Sequence, residues 1–211
     1  MTNQNSITTH DKDAADYDKQ VKEYDSYTHD IIFGMCFDYI KPELKLLDIG
    51  IGTGLASEKF AKCGMVVSGV DGSEKMMNVC KEKNFTSELK LHDINILPLP
   101  YDKNLFDFVI SCGVLHFFGD PNPIIKESIR LVKERGIFCF TYANQDEFTP
   151  KNDTYIEIPT PWNVSIFKQN SEHVKVLLTE NGFEIIKKQK VLLKGSKKED
   201  IEFVVLVTKS F

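Results

Sequence analysis

Leu46-Leu47-Asp48-Ile49-Gly50-Ile51-Gly52-Thr53-Gly54 packs a strand, a glycine turn and the approach to a helix into nine residues. Leu46 to Ile49 is a short apolar run of the kind a buried parallel strand needs. Three alternating glycines follow, and Leu55 to Lys62 then carries apolar residues at helical spacing. Glycine lets the backbone take φ > 0 and lets a ligand approach main-chain atoms that a Cβ would block. The next helix N-terminus aims unpaired N–H groups at the same space. A second apolar strand, Met65 to Val70, ends at Asp71, 17 residues beyond Gly54. A carboxylate at the tip of the second strand of a βαβ unit can accept hydrogen bonds from both ribose hydroxyls of an adenosine-type cofactor. The stretch therefore reads as a site for a nucleoside-containing cofactor.

The spacing Gly50-x-Gly52-x-Gly54 departs from the dinucleotide pattern Gly-x-Gly-x-x-Gly. Asp48 beside the turn would repel a pyrophosphate, but suits a ligand carrying an ammonium and a sulfonium. Here the sequence resembles the class I S-adenosylmethionine (SAM)-dependent methyltransferases of the small-molecule type, whose first motif is acid-x-Gly-x-Gly-x-Gly. Asp71-Gly72-Ser73-Glu74-Lys75-Met76-Met77 is similar to the family's Asp-x-Ser-x-x-Met segment, and Leu91-His92-Asp93-Ile94 to its third-strand acidic motif. Phe106 to Phe117 is similar to its fourth-strand motif, and Leu131 to Phe138 stands where the family carries Leu-Lys-Pro-Gly-Gly, without the proline. The match runs in register over roughly 17–140.

The resemblance implies a three-layer α/β/α, Rossmann-like fold with a mostly parallel seven-stranded sheet and a C-terminal antiparallel hairpin. It implies SAM as cofactor and methyl transfer to an O or N atom of a small-molecule acceptor. Under it, Gly50, Gly52 and Gly54 pass close to the methionine moiety and Asp48 reaches the ammonium, with a strand-end or capping carboxylate as the alternative. Asp71, with Gly72 and Ser73 beside it, takes the ribose. Met76 packs on adenine or is plain helix core. Asp93 accepts from the adenine amine, with the Ile94 N–H facing a ring nitrogen. Ser111, Cys112 and Gly113 contact the methionine part. Tyr17 and Tyr24 close over the ligand, Tyr17 towards the acceptor, or serve as core. Tyr142 and Trp162 are assigned to the acceptor side. His116 follows strand four, where it is either a general base for a protonated acceptor or a loop-fixing residue.

Composition restricts the function classes. Lys and Arg total 26 against 31 Asp and Glu, a net charge of −5, which disfavours nucleic acid and anionic lipid as partners. Lysines around 187–190 and 194–198 read as a solvated strand edge and turn. No stretch approaches the ~18 apolar residues of a membrane span. Met1 to Lys12 is polar without a secretory apolar core, and is expected to be a disordered tail. Five scattered cysteines (Cys36, Cys63, Cys80, Cys112, Cys139) lack metal-site spacing and read as reduced residues of a cytoplasmic protein. No metal is expected, and monomer and homodimer both stay open.

The rest of the chain reads as one domain, 13–211, of alternating β and α segments. Residues 13–41 form an N-terminal helical cap, patterned by Val21, Tyr24, Tyr27, Ile31, Met35 and Tyr39. Ser73 caps a helix over 74–83, Leu89 to His92 and Phe106 to Ser111 are strands, and Asp120-Pro121 opens a helix through Leu131. Ile137 to Tyr142 is strand five. A helix capped by Asn170 or Ser171 ends at Asn181-Gly182, before strands over 183–193 and 201–209 joined at Gly195-Ser196. Residues 143–169 form a long aromatic-bearing connection at the carboxyl end of strand five, expected to be a lid or acceptor wall, with a surface arm as the alternative. Two rival functions stand beside methyl transfer. A nicotinamide-dependent oxidoreductase is opposed by the glycine spacing and Asp48. A non-catalytic SAM-binding relative is opposed by the intact motifs.

Overall fold

The computed structural model describes residues 4–145, 151–160, 164–194 and 200–211. Three helices come first: α1 (Gln4–Asp13), α2 (Tyr17–Glu23) and α3 (Thr28–Cys36). Strands and helices then alternate: β1 (Lys45–Ile49), α4 (Glu58–Lys62), β2 (Val66–Asp71), α5 (Glu74–Glu82), β3 (Thr86–Leu91), β4 (Phe106–Ser111), α6 (Asn122–Leu131) and β5 (Val132–Asn144). A hairpin of β6 (Tyr155–Pro159) and β7 (Ser165–Gln169), helix α7 (Ser171–Glu180) and the strands β8 (Phe183–Lys194) and β9 (Asp200–Ser210) complete the chain.

Seven strands lie in the order β3-β2-β1-β4-β5-β9-β8, the first five parallel and β9 antiparallel to both of its neighbours, β5 and β8. The order reverses direction between β1 and β4, and such a switch point opens a crevice at the carboxyl ends of the strands. This is the doubly wound α/β arrangement expected from the sequence. Alternation along each strand divides the core into two apolar layers. Leu47, Ile49, Val109, Phe138 and Phe140 face α6 and α7, meeting Ile125, Leu131, Val174 and Leu178. Leu46, Phe108, Ile110 and Cys139 face the other way, against Ile32 and Cys36 of α3 and Phe60 of α4. Truncating a buried phenylalanine such as Phe60 to alanine costs roughly 3–5 kcal/mol in such a setting.

Local chemistry fixes the helix ends. Ser73 Oγ accepts from the Met76 N–H at 3.2 Å, and Asn170 Oδ1 accepts from Glu172 and His173 N–H groups at 2.9 and 3.3 Å. Gly182 takes φ +82° just after α7, a conformation glycine adopts without strain.

Three expectations are corrected. The first residues are helical over Gln4–Asp13 rather than a disordered tail, because Asp11 docks α1 on the start of α5 by accepting from Ser73 Oγ at 2.5 Å. The N-terminal cap is broken at 24–27, where Asp25 takes φ 50° between α2 and α3. The connection over 143–169 begins as strand, with Ala143 and Asn144 buried in β5, and then forms the β6–β7 hairpin. The expected turn at Gly195-Ser196 lies outside the described residues.

Candidate active site

A cavity of about 810 Å³ opens at the carboxyl ends of β1, β2 and β4, roofed by the N-terminal helices. Gly50, Gly52 and Gly54 take φ of 75°, 52° and 81°, so the turn after β1 is left-handed at every glycine. Asp71, at the tip of β2, clamps that turn. Its Oδ2 accepts from the Gly52 N–H and its Oδ1 from the Ser73 N–H, both at 2.8 Å. Burial pushes the Asp71 carboxyl above its ordinary range, opposed by these two amides.

Asp48 is the most perturbed acid of the site. It is buried at the end of β1, and its Oδ1 has no hydrogen-bond partner. Burial, reinforced by the charge of Asp71, raises its carboxyl to about 7. The Ser57 hydroxyl opposes that rise, but lies outside hydrogen-bond geometry.

The tip of β4 is set from β5 by the Thr141 hydroxyl, which accepts from the Gly113 N–H at 2.8 Å. Gly113 has φ 73°, and a Cβ there would meet no atom within 4 Å, so a side chain would project into open space. His116 follows in a 3-10 turn, Leu115–Phe117, with its ring 4.0 Å from that of Phe117 and edge-on to Phe203 at 5.2 Å. Its Nδ1 is buried without a partner, and burial lowers its pKa to about 3.

Most of the sequence-predicted residues meet here. Tyr17, Tyr24, Asp48, Gly50, Gly52, Asp71, Gly72, Ser73, Met76, Asp93, Ile94, Cys112, Gly113 and His116 all line the cavity. Tyr24 stands at its rim, 53% exposed, whereas burial raises the Tyr17 hydroxyl to about 12. Three residues do not line it. A Cβ on Gly54 would fall 2.5 Å from Phe85 and 2.7 Å from Cys80, so this glycine serves packing behind the turn. Ser111 is fully buried and donates to the Ile49 carbonyl at 2.9 Å, tying β4 to β1. Tyr142 points into the α6–α7 side of the core, its hydroxyl 2.9 Å from Ser171 Oγ. Trp162 lies outside the described residues.

Residues 47–140 match the family model for a methyltransferase domain. Over that segment, somewhat under half of its length, the chain is similar to a methyltransferase domain. Over 103 residues it is 34% identical to a ubiquinone biosynthesis O-methyltransferase of Pelagibacter ubique, covering 48% of this chain and 43% of that enzyme. The chain thus spans under half the length of that relative. An uncharacterized Methanocaldococcus jannaschii protein is 27% identical over 87% of this chain and 88% of its own. Among solved structures, a SAM-dependent methyltransferase from Methanosarcina mazei superposes with a TM-score of 0.70 at 19% identity, over 84% of this chain and 97% of that one. Burkholderia thailandensis 1,6-didemethyltoxoflavin-N1-methyltransferase, solved with its substrate and S-adenosylhomocysteine, gives 0.72 at 15%, over 97% and 88%. At such identities these two likenesses establish the fold.

Sequence reasoning missed several residues of the site. Ile7, His10 and Asp13 of α1 line the cavity, on a segment with too little apolar pattern to be read as a helix. Asp18 of α2 accepts from Thr53 Oγ1 in the glycine turn and from Lys83 Nζ, both at 2.5 Å. Asp30 pairs with Lys59 to hold α3 on α4. Asp11, Asp18 and Asp30 thus strap the N-terminal helices over the cavity, and the short-range pattern of the sequence carries no sign of such long-range pairs. Ile158, Val164, Ile166, Leu193, Ile201 and Phe203 close the far side.

Proposed function

We propose that this chain is a SAM-dependent methyltransferase acting on an O or N atom of a small-molecule acceptor. The observation that carries the reading is the pair of buried carboxylates around one left-handed glycine turn. Asp71 keeps free lone pairs at a strand tip, and Asp48 presents an oxygen with no partner. A buried acceptor atom without a donor costs about 1–3 kcal/mol, which a ligand ammonium would relieve. The residues present therefore fit SAM: Asp48 for the ammonium, Asp71 for the ribose diol, Met76 and Ile94 beside the adenine, and Gly113 leaving room where a Cβ would intrude.

When bound, SAM would supply an electrophilic methyl group to the acceptor's O or N atom. The protein's share is orientation and exclusion of water. The strapped helices α1 to α3 cover one side, and the β6–β7 hairpin acts as lid and acceptor wall on the other. His116, neutral at physiological pH, is a weak base, and its role here is a hydrogen bond to the acceptor rather than storage of its proton. Equilibrium titration with SAM, S-adenosylhomocysteine and NAD tests the reading. Binding of the first two without NAD is expected; NAD binding without SAM binding would overturn it.

A further inference from the structure

We infer that the acceptor is an uncharged, largely apolar molecule, and that carboxylate- and phosphate-bearing molecules are rejected. The inference rests on the methyltransferase reading and specifies its second ligand.

β5 runs four residues past Phe140, the partner of β4's last residue, Ser111. On the side that β4 leaves open, β7 pairs with Ala143 and Asn144; on the other, β9 continues to Phe203 beside Ala143. These extensions stand above the carboxyl edge of the sheet as a wall. Gln169 Nε2 donates to the Phe118 carbonyl at 2.8 Å, fixing the hairpin to the turn that carries His116. The wall presents Ile158, Val164, Ile166, Leu193, Ile201 and Phe203 to the cavity.

Among the described residues, the cavity is lined by Asp13, Glu23, Asp48, Asp71 and Asp93, and by no lysine or arginine. Of the β8 lysines, Lys187 pairs with Asp38 and Lys190 with Glu202. An anion entering here would lose its hydration against aliphatic side chains, meet no lysine or arginine among the described lining residues and face acidic neighbours. Among the described residues, the Thr160 hydroxyl is held by the Val164 carbonyl, and the polar handle left beside the wall is the His116 Nδ1, buried between Phe117 and Phe203. A neutral imidazole there hydrogen-bonds a hydroxyl or an amine, and it offers no positive charge to an anion.

The test uses 4-heptylphenol and 4-heptylbenzoate, alike in shape and opposite in charge state at pH 7.5. Each is titrated into the full chain, free and saturated with S-adenosylhomocysteine. The phenol is expected to bind at least tenfold tighter in both forms. Ile158→Arg, at a wall position 37% exposed and so tolerant of a long side chain, should narrow that preference at least threefold by supplying the missing cation. Equal or tighter benzoate binding, or binding of neither probe, overturns the inference. Failure of S-adenosylhomocysteine to bind refutes the cofactor reading instead, and the comparison on the free chain still decides the charge preference.

Discussion

Asp48→Asn is expected to stabilise the ligand-free protein while damaging its cofactor site, with a pH dependence that identifies the cause. The Asp48 carboxyl stands at about 7 in the folded chain against 3.8 ordinarily, because burial penalises the ionised form. Below about pH 4 the group is protonated both folded and unfolded, and nothing is lost. Between about pH 4 and 7 only the unfolded chain releases the proton, so stability falls as pH rises, and the full cost applies above 7. At 1.36 kcal/mol per tenfold, the cost approaches ~4 kcal/mol. Asparagine removes the charge but leaves a buried amide, itself worth about 1–3 kcal/mol when unpartnered. The net gain is therefore about 1–3 kcal/mol at pH 8, at roughly 2–4 °C of Tm per kcal/mol for a chain of this size. Differential scanning calorimetry of both proteins between pH 4.5 and 8 measures it. Saturating SAM should reverse the ranking, because the ligand's ammonium stabilises the carboxylate and not the amide. An equal Tm difference at pH 4.5 and 8, or a less stable variant at pH 8 without ligand, would refute the reasoning.

Asp71→Ala should weaken SAM binding by about 1–3 kcal/mol, the range for hydrogen bonds to a charged group, with the circular dichroism spectrum unchanged. Asp18→Asn loosens the strap between α2 and the glycine turn; stopped-flow measurement should show faster S-adenosylhomocysteine release with little change in Tm. His116→Phe removes a ring whose folded pKa lies far below its ordinary 6.5. Wild-type stability falls as pH drops below 6.5, so the variant should gain on it at pH 5 and not at pH 8, while SAM affinity stays near normal.

The parallel strands and the strand-end residues that line the cavity were legible in the sequence because both are short-range. β1, β4 and the stretch 137–140 of β5 are near-continuous apolar runs, and Asp48 and Asp71 stand at the carboxyl ends of β1 and β2. Tyr142 shows a readable pattern applied wrongly: it shares parity with Phe138 and Phe140, and that parity places it in the core. Gly54 and Ser111 sit inside the right motif, but face away from the cavity for reasons visible only once Phe85, Cys80 and Ile49 are packed. Helix α1 was invisible because its order comes from Asp11 and from Ile7, whose side chain covers Gly72. The acceptor wall draws on β6–β7 and on β8–β9, about forty residues apart in the chain. Tyr155-Ile156-Glu157-Ile158 alternates like a strand, yet only the extension of β5 beyond β4 tells what it covers.

A crystal structure of the chain with S-adenosylhomocysteine tests the central claim most directly. The account predicts the ribose hydroxyls on Asp71, the ammonium facing Asp48 Oδ1, and the sulfur directed towards the wall of Ile166 and Phe203. A ligand whose ribose lies away from Asp71, or whose ammonium leaves Asp48 without a partner, would contradict it.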